Sequence, residues 1–135
     1  MARASQKLKP AVETCWSLLG ERRGRIWYCR RVRPVRGIRV DVRFDGAWAL
    51  AREESRGDVV GFLHTHPAGP HAPSERDVRT MHAWCSAFGK PLLCAIDGTD
   101  GLHGYRFDRG ISSGVSLELV AKFSRGVLIG VESVG

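Results

Sequence analysis

Two imidazoles one residue apart, His64 and His66, are followed after a spacer of seven residues by Ser74 and, three positions on, by Asp77. Imidazole and carboxylate are the usual ligands of hydrolytic zinc, which takes three protein side chains and keeps a fourth position for water. His64, His66 and Asp77 are therefore candidate zinc ligands, provided the chain brings them to one point.

The flanking residues supply elements that can do so. Val59-Val60-Gly61-Phe62-Leu63 is an apolar run that opens on two β-branched valines, as suits a buried strand, and side chains at i and i+2 of a strand share a face. A strand over Val59 to His66 thus points both imidazoles the same way. Pro67, Gly69, Pro70 and Pro73 end the regular structure, and Ser74 stands at the N-cap of a helix predicted from Glu75 to Phe88. Asp77, Met81, Trp84 and Phe88 recur at a spacing of three to four residues, which places the carboxylate in the first turn of the helix's buried stripe. Ser-x-x-Asp before an apolar helix is, taken alone, a capping arrangement, and a lone His-x-His at a strand end is commonly just solvated. Neither explains why both pairs occur together between an apolar strand and an amphipathic helix. A metal site does.

This stretch resembles the signature of the JAMM metalloproteases, the catalytically competent MPN or JAB domains, whose members carry His-Ser/Thr-His-Pro, a spacer of matching length and Ser-x-x-Asp. Glu13-Thr14-Cys15-Trp16-Ser17-Leu18-Leu19-Gly20 is similar to the family's upstream element, in which a glutamate precedes Leu-Leu-Gly. The resemblance runs from Glu13 to Phe107. It implies zinc as the cofactor, with Glu13 as general base toward the metal-bound water and then as acid toward the leaving amine. It also implies that Ser74 donates a hydrogen bond to the developing oxyanion. Glu21, Glu53 and Glu54 are the competing carboxylates, but none sits at a strand start. His71, His82 and His103 are left as non-ligands, because three protein ligands and a water complete the site; His71 lies in the adjoining loop, within reach of substrate.

The fold implied is α+β, a JAMM/MPN fold with a curved mixed β-sheet flanked by helices in α/β/α layers. A pass along the chain agrees with that order. Residues 1–10 read as a short helix or a tail, and Thr14–Leu19 as a strand. Arg25–Val35 and Ile38–Phe44 alternate apolar and basic residues, as half-solvated strands do. A helix over Trp48–Glu54 precedes the histidine strand. Strands follow at Pro91–Ile96, at Leu102–Phe107 and within Val115–Val134, with a turn at Asp97–Gly101.

Length is that of a single catalytic domain spanning residues 1–135. No stretch has the roughly 18 apolar residues of a membrane span and no leader is visible, so a cytoplasmic location is expected. The four cysteines, Cys15, Cys29, Cys85 and Cys94, form no C-x-x-C pair and read as small core residues. The chain carries 21 Lys and Arg against 14 Asp and Glu, a formal charge of +7, with arginines concentrated between Arg22 and Arg43. Such a stripe serves solubility and protects strand edges, or docks an acidic protein surface; no interleaved aromatic signature of RNA binding accompanies it, and nucleic acid is not the expected partner.

The resemblance implies a zinc-dependent isopeptidase or peptidase, deubiquitinase-like, that cuts after the C-terminus of a ubiquitin-like protein, in deconjugation or precursor processing. Compact bacterial relatives include members placed in ubiquitin-like antiviral pathways and others that process small sulfur-carrier proteins. Two other readings use the same residues: a DNA-associated RadC-like protein, to which Ala68-Gly69 and Pro73-Ser74 are similar, and a non-catalytic MPN scaffold. The chain departs from the family in having few residues before Glu13, interrupted by Pro10, and a brief connection after Ile96. Substrate binding is then expected to use the core surface, self-association or a partner protein.

Overall fold

The computed structural model describes residues 13–37, 45–67, 69, 71–109 and 114–133. The expectations for residues 1–10 and for a strand over Ile38–Phe44 lie outside them. Seven strands and two helices follow in the order β1 (Thr14–Arg23), β2 (Ile26–Arg36), α1 (Gly46–Arg56), β3 (Val59–Thr65), α2 (Glu75–Phe88), β4 (Leu92–Gly98), β5 (Gly101–Phe107), β6 (Val115–Ser124) and β7 (Val127–Glu132). No helix among the described residues is long and apolar enough to cross a membrane.

The strands close into a barrel in the order β1-β2-β7-β6-β5-β4-β3, with β3 returning to β1. Among the described residues only the β3–β4 pairing is parallel; the other six are antiparallel. This corrects the expected α/β/α layering. A curved open sheet with a helix on each side would leave two edges unpaired, whereas here β7 pairs with β2, Tyr28 opposite Ile129, and the sheet has no free edge. The inward residues Leu18, Trp27, Leu63, Leu93, Leu117 and Leu128 pack on one another inside the barrel. That face therefore buries itself and needs no helical layer.

Both helices lie instead on the outer face, over one part of the barrel. Ala49 of α1 and Met81 and Cys85 of α2 join Phe62, Leu92, Cys94, Ile96 and Phe107 in the second apolar cluster. The strands under the helices are buried on both faces, which is why β3 reads as a continuous apolar run rather than an alternating one. Strand β3 carries a bulge: Leu18 opposes Gly61 while its neighbour Leu19 opposes Val59, so Val60 is the extra residue and turns inward with Leu63. Gly61 lies where β4 approaches closely, since a Cβ there would sit 1.9 Å from the Leu93 carbonyl oxygen.

The Val115–Val134 region resolves into β6 and β7, joined through Arg125 and Gly126, both at positive φ, as the two-residue hairpins that match strand twist require. Beside this hairpin pair, the carboxylate of Glu132, almost fully buried, accepts from Trp27 Nε1 at 2.6 Å and Arg106 Nε at 2.7 Å and pairs with Arg22 at 2.8 Å. A buried charge is tolerated there because every oxygen meets a donor. All four cysteines are buried free thiols.

Candidate metal centre

His64 is the penultimate residue of β3 and His66 follows the strand directly. The strand persists as far as the site because both neighbours hold it: His64 opposes Cys15 of β1 and lies beside Ile96 of parallel β4. The His66 amide continues the ladder to the Asp97 carbonyl at 2.8 Å. Thr65, between the two imidazoles, is engaged elsewhere, its Oγ1 accepting the Thr14 amide at 2.9 Å.

Asp77 arrives from α2. Ser74 caps this helix: its hydroxyl accepts from the Asp77 amide at 3.1 Å while Asp77 Oδ2 accepts from the Ser74 amide at 2.9 Å, a complete capping box. Gly89 closes the other end in the left-handed conformation. Along the helix, Trp84 and Phe88 pack on Phe62 of β3 with centroids 5.3 and 6.0 Å apart. Phe62 is two residues before His64 on the same face, and Asp77 is two helical turns before Trp84. One aromatic contact therefore sets the height of the carboxylate against the imidazoles. Asp77 makes the cap and faces both histidines at once, so the cap does not exclude a ligand role.

The three donor groups converge. His64 Nε2 and His66 Nε2 are 3.0 Å apart, Asp77 Oδ1 is 3.3 Å from His64 Nε2, and Asp77 Oδ2 is 3.4 Å from His66 Nε2. A tetrahedral zinc with bonds of about 2.0–2.1 Å separates its ligand atoms by roughly 3.3 Å and the centroids of two imidazole ligands by roughly 5 Å. The observed centroids are 4.8 Å apart, with the rings inclined at 60° and their Nε2 atoms on the facing sides, 3.0 Å apart. The residues present fit the ion. Burial pushes the Asp77 carboxyl up, but the hydrogen bond and charge of His64 and the two Ser74 hydrogen bonds outweigh it and hold the group at about 2. It is thus a carboxylate throughout the neutral range, as a ligand must be.

Glu13 stands immediately before β1, half-buried, its carbonyl accepting from the Gly37 amide at 3.0 Å. It is not one of the three converging groups. Its position is marked by Cys15, whose thiol is pushed up by burial and then by the charges of both Glu13 and Asp77. The two carboxylates thus act on one buried sulfur, and β1 delivers Glu13 to the end of the barrel where β3 delivers the histidines.

A second group, His71, Asp100 and His103, also gathers imidazole and carboxylate. Its geometry differs: the rings of His71 and His103 are stacked, centroids 3.5 Å apart and planes only 22° from parallel. Nitrogen lone pairs lie in the ring plane, so those of stacked imidazoles run side by side instead of converging. Asp100 as partner of His71 is not visible in the sequence, because the two are brought together by separate elements with no local spacing to mark them. His82 belongs to neither group; its ring edge meets Phe107 and its Nε2 is buried with no hydrogen-bond partner among the described residues.

No curated protein matches the chain. The model of a family described as prokaryotic homologues of the JAB domain matches residues 1–108, most of the chain and every residue of the metal centre. The chain belongs to the prokaryotic JAB-domain family.

Proposed function

We propose that the protein is a zinc-dependent isopeptidase or peptidase that hydrolyses the bond after the C-terminus of a ubiquitin-like protein. The observation that carries this reading is the convergence of His64, His66 and Asp77 at tetrahedral ligand spacing, in a chain whose family includes metalloproteases. Zinc held there would polarise a carbonyl and bring the pKa of its water to roughly 7. Glu13, half-buried beside the start of β1, takes the water's proton and returns it to the leaving amine. Ser74 Oγ accepts from the Asp77 amide, and its proton, shared with the Asp77 carboxylate in the resting site, turns to the oxyanion as charge develops there. The exposed arginines of β2, among them Arg30 and Arg36, offer a docking surface to an acidic protein partner.

The test is cleavage of ubiquitin-like fusions and of sulfur-carrier precursors by zinc-loaded protein, with and without chelator. Chelator-sensitive cutting after the ubiquitin-like C-terminus is expected. Zinc-loaded protein that leaves every such substrate intact overturns the peptidase reading, and absence of stoichiometric zinc overturns the metal reading itself.

A further inference from the structure

Several hydrogen bonds tie the described residues between His66 and Ser74, which lead from the histidines to the helix of Asp77, to one hairpin. The His66 amide donates to the Asp97 carbonyl at 2.8 Å, and the Thr99 amide and hydroxyl both donate to the Gly69 carbonyl, at 2.9 and 3.2 Å. The His71 amide donates to Asp100 Oδ1 at 3.0 Å, and His71 Nδ1 bonds Asp100 Oδ2. The His71 ring lies flat on His103 of β5, with Tyr105 nearly parallel beyond at 6.1 Å. Asp97, Thr99, Asp100 and His103 belong to β4, β5 and the turn joining them.

That hairpin is in turn locked to the histidine strand, since Thr65 opposes Asp97 and His64 opposes Ile96 in the parallel pairing. A closed mechanical path therefore runs from His64 across to β4, round the hairpin to Asp100, through His71 and on to Ser74 and Asp77. The stacked rings close the path by contact area and the carboxylate by two hydrogen bonds, neither of which needs a metal.

We propose that Asp100, His71 and His103 form a positioning clamp that fixes the β3–α2 connection so that Asp77 faces His64 and His66, and that the clamp thereby sets zinc affinity. The proposal rests on the metal reading above for its affinity arm only. None of the three is a catalytic residue; each acts through the placement of Asp77.

The experiment compares wild type with Asp100→Ala, His103→Ala and His103→Phe, using the full chain. In metal-free protein, hydrogen exchange of the His66 and Thr99 amides is expected to speed at least tenfold in Asp100→Ala while the β6 and β7 amides keep their wild-type rates. Zinc affinity, measured against a chromophoric chelator, should fall roughly 10- to 100-fold, the range typical for partners that orient ligands without touching the ion. His103→Phe keeps a ring under His71 and should bind zinc within a factor of about two of wild type, whereas His103→Ala should not. Unchanged exchange at His66 and Thr99, wild-type zinc affinity in Asp100→Ala, or His103→Phe as weak as His103→Ala overturns the clamp. If the wild type binds no zinc, the metal reading fails and the exchange arm alone decides the clamp.

Discussion

His64 Nε2 lies 3.3 Å from Asp77 Oδ1, one group presented by the end of a strand buried on both faces and the other by the first turn of a helix packed on that strand. Their approach joins the stability of the fold to the chemistry of the site, because the packing that fixes one fixes the other.

Removing a ligand should therefore cost more than removing an outer support. Asp77→Asn is expected to lower zinc affinity by more than about 100-fold, beyond the usual range for residues that orient the ligands without touching the ion. Metal analysis of the wild type should return one zinc per chain, and competition with a chelator measures the loss in the variant.

Ser74 caps α2, and the proposed hydrolysis gives its hydroxyl a second duty that substitution can separate from the first. Ser74→Ala removes the cap and should destabilise the protein by about 1 kcal/mol, read by urea unfolding. It should also lower kcat by roughly 100- to 1,000-fold if its hydroxyl serves the oxyanion. Ser74→Gly should restore most of the cap, whose loss to glycine costs only a few tenths of a kcal/mol, and none of the turnover.

Glu13→Ala should retain stoichiometric zinc and lose turnover by roughly 100- to 10,000-fold, the contribution of a positioned proton carrier. Near-normal kcat in this variant would remove Glu13 from the mechanism without touching the metal site.

The depressed Asp77 pKa predicts an acid dependence with a definite sign. Its folded value of about 2 lies below the ordinary aspartate value of about 3.9, so ionised Asp77 stabilises the folded state above that ordinary value. The contribution fades as pH falls from there toward 2. In chelator-treated protein, the stability difference between wild type and Asp77→Asn should narrow across that window, as equilibrium unfolding at stepped pH will measure.

Glu132 is a purely structural counterpart. Its side chain, 6% exposed, serves Arg22, Arg106 and the Trp27 indole together. Glu132→Ala strands those donors. Breaking a fully buried pair costs about 3–5 kcal/mol, and the partial exposure of both arginines reduces the expected loss here to about 2 kcal/mol. Urea unfolding measures it, and zinc stoichiometry should not change.

The candidate site was legible because each signal in it is local. Alternation places His64 and His66 on one face, Ser74 reads as a cap, and Asp77, Met81, Trp84 and Phe88 mark one helical stripe; the structure realises all three. Barrel closure was not legible. The alternating pattern of β2 shows that it has two faces, but not that Tyr28 meets Ile129 far along the chain. Nor does the apolar stripe of a helix state which sheet face it will cover, so two helices were expected on opposite sides and lie on the same one.

The sequence by itself determined the identity and local presentation of the candidate ligands, because strand and helix periodicities are properties of neighbouring residues. The tertiary structure alone decided that the sheet closes, that the capping carboxylate of Asp77 also faces His66, and that His71 is held by Asp100 and His103. These relations join residues far apart in the chain, and only the mutual packing of all the elements selects among the partners that local pattern permits.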